Sequence, residues 1–221
     1  MSRIVLLRHA HSTANSKNIL AGRTPGIVLS HKGEEQSMSL VERIGATSFD
    51  AVVVSPMQRC LQTVTPWLEV EGRGIRPVVD EGFSEVDYGD WTGKSLSVLR
   101  RKKLWSVVQD RPSQMVFPGG ESLLAMQARA ITSFYRVDKL KGKKPRLVVS
   151  HGDVIKSIVA HVLGMHLDQF QKLIIDPASF TIIETDNGVS RLVSFNDQKS
   201  TIGKPRTTGA TAVGGSTGND Q

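Results

Sequence analysis

Residues 3–12 read Arg3-Ile4-Val5-Leu6-Leu7-Arg8-His9-Ala10-His11-Ser12. Four apolar residues, Ile4 to Leu7, run without polar interruption, as in a strand buried on both faces. The run then breaks abruptly into cationic, imidazole and hydroxyl side chains. The same grammar recurs twice. Ala51-Val52-Val53-Val54 exits into Ser55-Pro56-Met57-Gln58-Arg59, and Leu147-Val148-Val149 exits into Ser150-His151-Gly152-Asp153. Helical patterns over about 31–45, 57–69, 121–137 and 153–163 separate these runs. In the third, Leu124, Ala128, Ile131 and Tyr135 fall on one face at helical spacing. Two further strands are expected at 180–184 and 190–195, joined by the hairpin turn Asp186-Asn187-Gly188. Alternation of this kind predicts a three-layer α/β/α fold with a mainly parallel central sheet flanked by helices.

In open α/β sheets, ligands bind beyond the carboxyl ends of the strands. Two arginines and two histidines are therefore expected to converge on one rim. Ser55 reads as a helix N-cap with Pro56 at the first helical position. That places Arg59 in the first turn, where the helix dipole disfavours a cation by roughly 0.3–1 kcal/mol. A cation there is sensible if an anion lies between it and the helix end. A second helix start follows His151, with Gly152 allowing close backbone approach. Guanidinium groups suit planar, bidentate recognition of phosphate.

The chain has 221 residues and a formal net charge of +7. The excess sits in two blocks of +5 each, residues 94–111 and 136–146. They lack the interleaved aromatics and motifs of a nucleic-acid binder, so each reads as a solvated helix end or as part of a rim that attracts anions. One cysteine, Cys60, excludes an internal disulfide framework and is expected to be buried and inert. No apolar run reaches the roughly 18 residues of a membrane span, and no leader pattern opens the chain. A cytoplasmic protein with no nucleic-acid or membrane partner is expected. Residues 197–221 contain 12 Gly, Ser or Thr in 25 and no aromatic, which predicts a mobile, disordered tail after a folded domain of residues 1–196. No GxxxxGK[ST] loop is present, and His9-Ala10-His11 alone is a poor metal site. No cofactor or metal is expected.

Four ordered motifs carry a resemblance. Leu7-Arg8-His9-Ala10-His11-Ser12-Thr13-Ala14-Asn15 resembles the Arg-His-Gly opening of the histidine phosphatase superfamily, which includes phosphoglycerate mutase-like enzymes. Residues 55–63, beginning Ser55-Pro56-Met57-Gln58-Arg59, are similar to its second block. The run Glu85-Val86-Asp87-Tyr88-Gly89-Asp90-Trp91-Thr92-Gly93 looks like its acid-bearing loop, and Val148-Val149-Ser150-His151-Gly152 looks like its closing block. Ala10 stands where the family more often has Gly.

The resemblance implies that His9 is a nucleophile phosphorylated on a ring nitrogen. Arg8, Arg59 and His151 would hold the phosphoryl oxygens, with Asn15 supporting the pocket. Glu85 would be the proton donor and acceptor, with Asp87 and Glu121 as alternatives. Ala21, Gly22 and Gly152 are candidate substrate contacts, and Trp91 would shield Glu85 or simply pack in the core. His11 has no assigned role. The implied function is hydrolysis of a small anionic phosphomonoester through phosphohistidine, without metal. The alternatives are a phosphoglycerate mutase-type isomerase and a non-catalytic phosphate-binding module. The chemistry is self-consistent, since phosphoryl transfer mostly needs positioning and charge neutralisation. Specificity is expected to come from residues 94–125.

Overall fold

Strand β1 (Ser2–Arg8) divides its apolar run between two cores, because successive side chains point to opposite faces. Ile4 and Leu6 join one buried cluster, Val5 and Leu7 the other. The computed structural model describes residues 1–202 of the chain. After β1 come α1 (Thr13–Ser16), α2 (His31–Ile44), β2 (Ala51–Val54), α3 (Gln58–Val70) and β3 (Val78–Val79). Then follow α4 (Leu96–Leu99), α5 (Leu104–Asp110), α6 (Leu123–Asp138), β4 (Arg146–Ser150), α7 (Gly152–Val162), β5 (Phe180–Asp186) and β6 (Val189–Asp197).

The sheet runs β3-β2-β4-β1-β5-β6. β3, β2, β4 and β1 are parallel, whereas β5 pairs antiparallel with β1 and β6 antiparallel with β5. The β5–β6 turn places Asn187 and Gly188 at φ 49° and 79°, as a two-residue primed turn requires. Helices α2 and α3 supply Leu40, Ile44, Cys60, Val64 and Trp67 to one core. Helices α6 and α7 supply Met126, Phe134, Ile155 and Ile158 to the other. The carboxyl ends of β1, β2 and β4 lie side by side, with Arg8 in register with Ser150 and Val54 with Val149.

Three expectations need correction. The packed face of α6 is Leu123, Met126, Ala130, Phe134 and Val137, while Leu124 is 51% exposed. Both sets obey helical spacing, but the buried set continues over more turns and its ring, Phe134, has no hydroxyl to satisfy. Ser55 does not cap α3, which starts at Gln58 with Met57 at the N-cap and no side-chain cap bond; the Ser55 hydroxyl is paired with His151 instead. The boundary expected after residue 196 falls inside β6. Beyond it, Ile202 is buried and donates its N–H to the Arg43 carbonyl at 2.8 Å. Arg43 in turn donates to the Asp197 carbonyl at 2.9 Å. Residues 197–202 are thus part of the fold, and the remainder of the expected tail, 203–221, lies outside the described residues.

Candidate active site

The loop after β1 is held rigidly from three sides. Ser12 caps α1, its hydroxyl accepting from Asn15 N–H while Asn15 Oδ1 accepts from Ser12 N–H at 2.9 Å. Thr63 of α3 accepts the Ala10 N–H at 2.9 Å. Gly33 of α2 lies so close that an added Cβ would stand 1.9 Å from the His11 carbonyl oxygen. This packing fixes His9, which is 4% exposed.

His9 Nδ1 lies 2.7 Å from the Ala10 carbonyl. A carbonyl can only accept, so Nδ1 carries the proton and Nε2 keeps a free lone pair. Burial, then the charges of Arg59 and Arg8, hold the imidazole well below its ordinary pKa, so it is neutral. Beside it, at a ring-centroid distance of 5.2 Å, sits His151. Arg59 Nη2 donates to His151 Nδ1 at 3.1 Å, which leaves Nε2–H to donate to Ser55 Oγ at 2.8 Å. Burial and Arg59 keep this ring neutral as well.

Arg59 is 1% exposed at the start of α3 and also donates to the Gly22 carbonyl at 3.0 Å. Gly22 has φ 52°, a backbone conformation that disfavours a side chain. Arg8 donates to the Ile175 carbonyl. The Nε atoms of both arginines are buried without a hydrogen-bond partner among the described residues. Buried donors of that kind ordinarily have a partner, and two guanidinium side chains lining one cavity beside a helix N-terminus suit an oxyanion. Glu85 Oε1 accepts its neighbour's Val86 N–H at 2.9 Å, and Oε2 lies 3.6 Å from His151 Nδ1 and 3.9 Å from Arg59. Burial raises its pKa above the usual carboxyl value, with Arg59 opposing.

These groups share a cavity of about 360 Å³. Arg8, His9, Asn15, Ala21, Gly22, Arg59, Glu85 and Gly152 line it, whereas His151 lies fully buried behind it. Asp87 and Glu121 are elsewhere: Asp87 accepts from Gly89 N–H, and Glu121 pairs with Arg23 and Arg129. Trp91 packs on Phe117 and Trp105 in the core. His11 hydrogen-bonds Ser30. Cys60 is buried 3.6 Å from His151, its thiol pushed up to about 12 by burial, and so is protonated and unreactive.

Sequence reasoning missed much of the outer cavity. From residues 94–125 only Leu96 reaches it; Lys156, Gln171, Leu173, Ile174 and Ile175 come from α7 and the segment before β5. Tyr88, within the acid-bearing loop motif, also lines the cavity, and its hydroxyl donates to Asp153 at 3.0 Å. Asp153 also binds Lys156 at 2.8 Å. Burial alone would raise the Asp153 pKa, but Lys156 and the Tyr88 hydrogen bond outweigh it and keep the carboxylate ionised.

The sequence pattern of the histidine phosphatase superfamily (branch 1) matches residues 4–198. The chain belongs to that superfamily. Among histidine phosphatase relatives, phosphoserine phosphatase 1 of Hydrogenobacter thermophilus is 26% identical over 205 residues, covering 89% of this chain and 92% of that protein. A 2,3-bisphosphoglycerate-dependent phosphoglycerate mutase of Parvibaculum lavamentivorans is 30% identical over 198 residues, covering 83% of this chain and 90% of that one. The fold matches the alpha-ribazole phosphatase of Shigella flexneri with a TM-score of 0.81 at 22% identity, over 91% of this chain and all of that one.

Proposed function

We propose that the protein is a phosphomonoester hydrolase working through a phosphohistidine at His9. One observation carries this reading: the neutral His9, with its free Nε2, lines the same cavity as the Arg8 and Arg59 side chains and the raised-pKa carboxyl of Glu85. His9 Nε2 attacks phosphorus, forming the N–P bond while the P–O bond to the alcohol breaks. Glu85 gives its proton to the departing oxygen. Water then attacks the phosphohistidine, Glu85 takes its proton, and the N–P bond breaks to release inorganic phosphate. Arg8 and Arg59 neutralise charge on the equatorial oxygens, with His151 holding Arg59 in place.

The outer half of the cavity favours hydrolysis over isomerisation. A bisphosphorylated intermediate needs cations for a second phosphate. Among the described residues lining the outer cavity the cation is Lys156, which is already engaged by Asp153 and by Gln171 at 2.8 Å. Arg23 points to Glu121. Ile19, Leu20, Leu96, Leu173, Ile174 and Ile175 share the rest of the wall with Tyr88, Asp153 and Gln171. This lining suits an alcohol with a single phosphate.

A panel of phosphometabolites including 3-phosphoglycerate, assayed with chelator present for both free phosphate and isomerised product, tests the reading. Phosphate release that His9→Ala abolishes is expected. Formation of 2-phosphoglycerate without phosphate release, or full turnover by His9→Ala, would overturn it.

A further inference from the structure

Glu85 is poorly held by its own side chain. Among the described residues its carboxylate accepts a hydrogen bond from the adjacent Val86 N–H, while His151 and Arg59 stand off at 3.6 and 3.9 Å. Its placement therefore depends on its backbone, and two guanidinium groups converge there. The Glu85 carbonyl accepts from Arg23 Nε at 2.9 Å and from Arg129 Nη2 at 3.0 Å. Arg129, on α6, uses every N–H it has. Nη1 donates to the carbonyls of Gly82 and Ser84 at 3.0 and 2.7 Å, and Nε and Nη2 grip the Glu121 carboxylate at 3.0 and 2.6 Å. Glu121 Oε1 also accepts the Asp87 N–H at 2.9 Å and Arg23 Nη2 at 2.9 Å. Burial would raise the Glu121 pKa, but Arg129 and the Asp87 N–H outweigh it, so the carboxylate stays ionised and keeps both cations in place.

We propose that Arg129, with Arg23 and Glu121, is a positioning clamp that aims the proton-donating carboxyl of Glu85 at the leaving-group oxygen. The inference rests on the phosphatase reading above. None of the three side chains lines the cavity, so the clamp acts through Glu85 and touches no reacting atom. Five donors in a rigid fork are needed to hold three carbonyls and a carboxylate together, and lysine's three donors cannot replace them.

A positioning role predicts a loss that depends on the leaving group. An alkyl alcohol needs a proton to depart, whereas p-nitrophenolate leaves as a stable anion. In Arg129→Lys, kcat/KM for an alkyl phosphomonoester should fall about tenfold or more beyond any fall for p-nitrophenyl phosphate, within the 10²–10⁴ range of general acid catalysis. Arg23→Gln, at a side chain 38% exposed, removes one of the two donors to Glu85 and should show the same selective loss on a smaller scale. In a Glu85→Gln background the extra leaving-group penalty of Arg129→Lys should vanish. Equal losses on both esters, or a penalty that persists without Glu85, would overturn the clamp while leaving the phosphatase reading intact. Wild-type protein that hydrolyses neither ester would overturn both.

Discussion

His9 and Glu85 must occupy opposite protonation states for the proposed first step, and one physical cause serves both. Burial disfavours the charged form of each, lowering the imidazole and raising the carboxyl. Activity then requires His9 deprotonated, which sets the acid limb below the ordinary histidine value. It also requires Glu85 protonated, which sets the alkaline limb above the ordinary carboxyl value. A pH profile of kcat/KM on an alkyl phosphate should show both limbs. Glu85→Gln should lose the alkaline limb and about 10²–10⁴ in rate; an alkaline limb that survives this change would assign it to another group. Arg8, His9, Arg59 and His151 were legible because each follows an apolar run at a strand end, where an unexplained charge stands out. Arg129 was not, because its meaning lies in carbonyls more than 40 positions earlier, and on its own helix it reads as an ordinary surface arginine.

Strands β1, β2 and β4 and the four long helices were readable because burial on both sheet faces forces continuous apolar runs, while helices carry a one-sided pattern. Strands β5 and β6 were marked by their turn, and the two-residue edge strand β3, with Val78 and Val79 exposed, was not readable. The face of α6 was not readable, since Leu124 and Ile131 mimic a second stripe one residue out of phase with the buried one. Which stripe packs depends on the sheet and on α7, information a single helix does not contain. The observed packing makes a direct prediction. Phe134→Ala, at a fully buried ring, should cost about 3–5 kcal/mol of unfolding free energy. Leu124→Ala, on the exposed stripe, should change it by no more than about 0.5 kcal/mol. Chemical denaturation of both variants measures the difference, and the reverse order would place the other stripe inside. The short helices α4 and α5 and the outer cavity wall at 171–175 escaped for a related reason. Their apolar residues are too few to show a period, and they meet the site only through tertiary approach.

For the molecule as a whole, the +7 charge matters by location. The 94–111 block borders the site: Leu20 N–H donates to the Lys94 carbonyl at 2.9 Å, and Leu20 and Leu96 both line the cavity. Arg100, Arg101, Lys102 and Lys103 follow directly and are exposed. The 136–146 block leads into Arg146, which is in register with Ile4 at the opposite, amino end of the sheet. Its lysines 139, 141, 143 and 144 are equally exposed. Two fourfold Gln variants, one in each block, would therefore carry the same net charge yet differ in their field at the cavity mouth. Changing Arg100, Arg101, Lys102 and Lys103 should lower kcat/KM for a dianionic ester by up to about tenfold at low salt, with kcat unchanged. The deficit should close as the screening length falls from about 30 Å at 0.01 M to about 8 Å at 0.15 M. Changing Lys139, Lys141, Lys143 and Lys144 should leave kcat/KM near wild type at every salt concentration. Equal losses in the two variants would mean that total charge, and not the rim beside the cavity, draws the substrate in.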